Sequence, residues 1–161
     1  MKEAIINLLA FLPDWLEIMI ISAIPIVELR GAIPLAILGY QMPYFQAYLL
    51  GVIGSLIPAP FILIFIPAIL RWMSGTRVFG KMARWIIAKG MKKSEKLTKY
   101  EFWGLFLFVA IPLPGTGVWT GCLAASLIGL DFRRSMISVA LGSATAGIIV
   151  TGLVAGGIFL I

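Results

Sequence analysis

Two long uncharged runs of this 161-residue chain can each cross a bilayer, Gln41–Leu70 and Ser135–Ile161. Each exceeds the roughly 20 apolar residues that a helix needs to cross about 30 Å of hydrocarbon. A chain built around two such runs belongs in a bilayer. Only helices or closed barrels satisfy the backbone there, and runs of this length read as helices. The expected fold is therefore an all-α polytopic membrane protein. Pro58, Pro60 and Pro67 should kink the second half of the first run. Charged residues are only 12% of the chain against 61% apolar, which excludes an ordinary soluble domain.

The remaining apolar material comes in shorter pieces. Trp15–Val27 leads to Glu28 and Arg30, and Gly31–Tyr40 leads away from them. Phe102–Leu113 leads to Pro114-Gly115-Thr116-Gly117, and Val118–Leu130 leads away. A dozen helical residues rise only about 18 Å, half the hydrocarbon thickness. Such pieces suit re-entrant hairpins that enter and leave on one side. Irregular backbone at that depth is tolerated only inside protein or along a cavity.

Charge sets the orientation. Residues 71–101 carry nine Lys or Arg and two Asp or Glu, whereas the rest of the chain carries four and five. The positive-inside rule makes 71–101 cytoplasmic. If 102–130 is a hairpin, Arg133 and Arg134 fall on the same side, so 131–134 is cytoplasmic too. Asp14, Glu17 and the turn Gln41-Met42-Pro43 are then outside. The chain reads as one membrane domain, 1–161, in the inner (plasma) membrane. Its first half is 14–70, its basic segment 71–101 and its second half 102–161. Ala4–Leu12 reads as a short interfacial helix, and the start lacks the features of a removable signal peptide. Val78, Phe79, Met82, Trp85 and Ile86 recur at helical spacing among Arg77, Lys81, Arg84, Lys89, Lys92 and Lys93. That is a basic amphipathic helix on an anionic leaflet, acting as a topology anchor. Nucleic-acid binding explains the basic block less well.

An internal repeat runs through the hairpins. Asp14–Pro25 aligns without gaps onto Glu101–Pro112, matching an acid, an aromatic pair, an apolar run and Ala-Ile-Pro in order. Gly54-Ser55 and Gly142-Ser143 follow at nearly equal distance. With one crossing per copy, the second copy is inverted, a common transporter plan with its site at the repeat interface.

Enzymatic chemistry has little support. The chain has no histidine and a single cysteine, Cys122, which removes the commonest general base, most metal sites and any internal disulfide. No catalytic residue, metal ligand or cofactor is expected. Glu28 and Arg30 are the candidates for function, because ionisable groups at membrane depth usually line a substrate or ion path. Glu28 is the expected proton-coupling group, since a carboxyl in a low-dielectric site can exchange a proton in the working pH range. Arg30 has the planar fork that suits phosphate or carboxylate. The alternative is that the two simply pair and hold the hairpin tip. The second tip offers Gly115, Thr116, Gly117, Trp119 and Thr120 as substrate-binding groups: backbone that can approach a ligand, two hydroxyls and an indole. A tight turn for packing explains the same residues equally well. Pro25, Gly31, Pro34, Pro112 and Pro114 are the expected hairpin breaks. Gly152 and Gly156 allow close helix approach, between the halves or in a homodimer.

The segments Glu28-Leu29-Arg30-Gly31-Ala32-Ile33-Pro34 and Ile111-Pro112-Leu113-Pro114-Gly115-Thr116-Gly117-Val118-Trp119-Thr120-Gly121, together with the length, resemble the putative small multidrug export protein family. The paired hairpin plan is also similar to the wider DedA group. That second likeness implies movement of lipid phosphates such as undecaprenyl phosphate across bacterial membranes, with proton coupling. The key arginines of the DedA pattern lie on the second hairpin, whereas here the arginine is on the first, at Arg30. The sequence thus points to a transporter or flippase for an amphipathic or lipid-linked anion, in contact with membrane lipids. Its rivals are a proton-driven exporter of hydrophobic cations and a non-transporting factor that organises the membrane.

Overall fold

The computed structural model describes residues 12–76, 80–94, 98–113 and 115–157. The expected interfacial helix over Ala4–Leu12 falls almost wholly outside them, as do Arg77, Val78, Phe79 and Pro114. Every regular element among the described residues is helical. In chain order these are α1 (Asp14–Ala23), α2 (Glu28–Pro34), α3 (Tyr44–Leu56), α4 (Pro58–Ser74), α5 (Gly80–Ser94), α6 (Thr98–Ala110), α7 (Val118–Ile128) and α8 (Phe132–Ala155).

Tyr44–Ser74 and Phe132–Ala155 are long and apolar enough to cross a membrane, and only 39% and 44% of their most apolar windows is buried. Core helices of a soluble protein would be covered. Here Phe45, Phe61, Ile64, Phe65, Ile137 and Ile148 stand open on their surfaces. A bilayer is the solvent that accepts such faces, and the protein is a membrane protein. The expected kinking of the first run resolves into one turn residue, Ile57, with Pro58 at the start of α4. Proline is preformed for that first helical position. Pro60 and Pro67 stay within the helix.

The chain forms two compact units, Met1–Ser55 with Gly147–Ile161, and Leu56–Ala146. In the first unit α1 and α2 pack on one another. Ile18, Ala32, Ala36 and Ala47 form its buried cluster. Ile18 and Ala32 would lie about 21 Å apart along a straight helix, so the chain doubles back between them. Glycines on α3 admit both arms. A Cβ at Gly51 would come within 2.6 Å of Ile33, and one at Gly54 within 2.5 Å of the Met19 carbonyl oxygen. The buried Ser22 hydroxyl donates to the Gly51 carbonyl at 2.5 Å, so the contact is also specified by a polar bond.

In the second unit α7 packs against α4, α5 and α6. Its core joins Ala59, Ile62, Leu63, Leu105, Val109, Val118, Cys122, Ala125 and Val139. A Cβ at Gly121 would meet Val109 at 2.6 Å and Leu105 at 3.4 Å. A straight helix would separate Leu105 from Gly121 by about 24 Å, so this half doubles back as well. Gly142 of α8 lies against the Phe106 carbonyl and Val109, and the buried Ser138 hydroxyl donates to the Phe102 carbonyl at 2.7 Å.

Candidate functional site

The first tip is the turn Ile24–Val27, which separates α1 from α2. Pro25 lies within it and is exposed. Gly31 and Pro34, expected as further breaks, instead lie inside α2. A Cβ at Gly31 would collide with the Val27 side chain, so glycine there serves close packing rather than a turn. Pro34 has no N–H for the Arg30 carbonyl and cannot continue an ordinary α-helical ladder. The backbone answers by widening into a π-turn over Leu35–Gly39, closed by the Tyr40 N–H on the Leu35 carbonyl at 3.2 Å. Such widened turns recur at functional sites.

Glu28 opens α2 with φ of +49°, the left-handed region. A residue with a side chain avoids that region because Cβ crowds the following carbonyl. The conformation is held from both sides: the Glu28 N–H donates to the Ile24 carbonyl at 2.9 Å, and the Gly31 N–H to the Val27 carbonyl at 3.1 Å. Glu28 is also 5% exposed, the only carboxylate among the buried described residues. Arg30 is partly buried and within electrostatic reach of it. A buried acid in disfavoured backbone, beside a guanidinium, at a helix break, is the most unusual local arrangement in the first unit. Backbone strain of this kind clusters at binding and switching sites.

The second tip occupies Ile111–Gly117. Gly115 and Gly117 have φ of +82° and +136°, angles open to glycine and costly for other residues. Thr116 binds the turn together. Its hydroxyl lies 2.8 Å from the carbonyls of both Ile111 and Leu113 and 3.3 Å from the Leu113 N–H. Thr120 hydroxyl contacts the Gly117 carbonyl at 3.4 Å, and Trp119 packs against the core of its unit. The five expected binding residues of this tip are thus gathered on one short segment. The packing accounts for Thr116 and Trp119 through their roles in the turn and the core. Pro112 lies within this tip at a partly buried position.

The two tips share a local geometry. The gapless alignment of Asp14–Pro25 with Glu101–Pro112 sets Met19 opposite Phe106 and Ser22 opposite Val109. Gly54 packs on Met19 and Ser22, and Gly142 packs on Phe106 and Val109. Extended three residues further, the same register sets Glu28 opposite Gly115, and both have positive φ. The place where one half carries a glycine is where the other carries its buried acid. This equivalence has no signature in composition, because it depends on which backbone each glycine touches.

One further contact was hidden from the sequence. Tyr40, at the end of the π-turn, hydrogen-bonds to Glu17 of α1, and that carboxylate together with partial burial pushes the phenol pKa up to about 12. The bond ties the far ends of α1 and the widened helix. Among the described residues no group of three His, Cys, Asp or Glu could hold a metal ion.

Comparison with characterised proteins and with solved structures finds no match to either. A family model does match, over residues 28–149, beginning at Glu28 just after the first tip and running past the second. The chain belongs to the family described as "Putative small multi-drug export protein".

Proposed function

We propose that this protein is a membrane transporter whose substrate and coupling site is the Glu28–Arg30 tip. One observation carries the reading: Glu28 is buried in left-handed backbone beside Arg30. Folding gains nothing from that conformation, which glycine would adopt without strain. A carboxylate kept there at a cost to stability is explained by a task. The family description supports transport in general. Arg30 supplies a fork for an anionic head group and Glu28 the proton-coupling carboxylate. The favoured substrate is an amphipathic or lipid-linked anion such as undecaprenyl phosphate, in line with the DedA-like hairpin plan. The two doubled-back helix pairs act as re-entrant hairpins of an inverted repeat, in an inner membrane with 71–101 and 131–134 cytoplasmic. Gly115–Thr120 is the counterpart tip in the other half. The chain has no enzymatic role in this account.

A second reading is export of hydrophobic cations, which the family's description favours. Glu28 would then exchange cation for proton, and Arg30 would oppose binding. The sign of the substrate separates the two. Purified protein in liposomes is given labelled undecaprenyl phosphate or a fluorescent hydrophobic cation. The anion reading expects protein-dependent movement of the lipid phosphate that Arg30→Ala abolishes. Cation movement that survives or rises in Arg30→Ala would establish the second reading instead. If neither probe moves above empty liposomes, transport itself is refuted and the membrane-organising role takes its place.

A further inference from the structure

The basic helix α5 has no part in the Glu28–Arg30 reading. It lies within the second unit, packed on α4 and α7, and its surface divides three ways. Gly80 and Ala83 are buried against the protein, with Ile87 half-buried on the same side. Met82 and Trp85 form an apolar edge that is 54% and 60% exposed. Lys81 and Arg84 are exposed, and helical spacing sets them between the protein-facing side and that apolar edge. The corner with α4 is fixed. The Arg84 guanidinium donates to the Ser74 carbonyl at 2.7 Å, and a Cβ at Gly80 would come within 2.9 Å of the same oxygen. Arg71 and Trp72 stand in the last turn of α4, both exposed, Trp72 at 76%. Arg71, Trp72, Lys81 and Trp85 thus all lie within one helical turn of the Arg84–Ser74 contact.

Charge and depth decide the occupant. From Arg71 to Ser94 the chain carries seven Lys or Arg and no Asp or Glu, so the corner's positive charge has no acid of its own segment to offset it. The corner also stands where the apolar helix Tyr44–Ser74 ends, and tryptophan at the end of a spanning helix marks the level of the lipid head groups. Basic side chains at that level reach lipid phosphate, while indole and thioether lie along the upper part of the acyl chains. A zwitterionic lipid brings its own cation and leaves the corner's charge in place. An anionic phospholipid offsets that charge and covers Met82, Trp72 and Trp85 with its chains.

We propose that the α4–α5 corner is a binding site for the head group of an anionic phospholipid, which goes beyond a topology anchor. The site is independent of the transport reading, and its test measures lipid contact and not movement. Trp72 and Trp85 report on it directly. Full-length protein is reconstituted in mixtures of phosphatidylcholine and phosphatidylglycerol, with one or the other brominated on its chains, and tryptophan quenching is compared at equal mole fraction. Phosphatidylglycerol should be favoured about fivefold, the scale of one basic residue at a charged surface. Trp72→Phe with Trp85→Phe should remove the excess quenching. Arg71→Gln with Lys81→Gln should bring the preference close to one, and because both residues are exposed this variant folds. Arg133→Gln with Arg134→Gln removes the same charge at the start of α8 and should leave the preference in place. Equal quenching by the two lipids in the wild type overturns the proposal. So does a preference that survives Arg71→Gln with Lys81→Gln, or one lost equally in the Arg133 and Arg134 variant, which would assign it to net charge alone.

Discussion

The left-handed backbone at Glu28 makes a prediction about sign. In an ordinary helix position, alanine is more stable than glycine by about 0.5–1 kcal/mol, because glycine has more freedom to lose on folding. At φ of +49° the order should reverse. The left-handed conformation costs a residue with a Cβ roughly 1–2 kcal/mol, and glycine escapes that cost while losing about 0.4–1 kcal/mol through its looser unfolded state. Glu28→Gly should therefore be more stable than Glu28→Ala by about 1 kcal/mol. Both variants lose the carboxylate and its interaction with Arg30, so that loss cancels in the comparison. For a chain of this length, 1 kcal/mol corresponds to roughly 2–4 °C in Tm. Thermal unfolding of the two variants in the same detergent and lipid reads the difference. Gly115→Ala, at φ of +82°, should lose a similar amount relative to wild type. If Glu28→Ala proves as stable as Glu28→Gly or more so, the backbone there is not strained, and the argument from strain to function fails.

Further outcomes follow from packing and charge. Gly54→Ala places a Cβ 2.5 Å from the Met19 carbonyl, and Gly142→Ala places one 2.9 Å from the Phe106 carbonyl. Backbone cannot yield as a side chain can, so overpacking should outweigh alanine's helix preference and each should lose about 1–2 kcal/mol in unfolding assays. Gly152→Ala meets nothing within 4 Å and should be neutral or gain up to about 1 kcal/mol; a loss comparable to Gly54→Ala would show that this face is covered. Tyr40 holds its proton up to about pH 12 in the folded protein, against about 10 in an unfolded chain. Between those values the unfolded state binds fewer protons than the folded one, so stability should fall as pH rises through that window. Tyr40→Phe should remove that part of the slope, and an unchanged slope would refute the Glu17–Tyr40 bond.

Much of the fold was legible because hydrocarbon imposes simple rules. Charge-free runs of the right length located the helices Tyr44–Ser74 and Phe132–Ala155, and interrupted runs located the two helix–turn–helix segments. Proline was less legible. Pro34 sits inside α2, directly before a π-turn, where a break was expected, because a widened turn accommodates the missing N–H. Glu28 and Arg30 stood out through their charge alone. The strain at Glu28 did not, since φ is fixed by the hydrogen bonds around the turn and not by residue type.

The most direct test of the central claim is simultaneous measurement of substrate movement and internal pH in proteoliposomes, comparing wild type with Glu28→Gln. This substitution keeps the side-chain shape and removes the titrating charge. The account predicts that wild-type protein moves labelled undecaprenyl phosphate together with protons, and that Glu28→Gln severs the two, leaving substrate movement indifferent to a proton gradient. Unaltered coupling in Glu28→Gln would contradict the account and remove Glu28 from the mechanism.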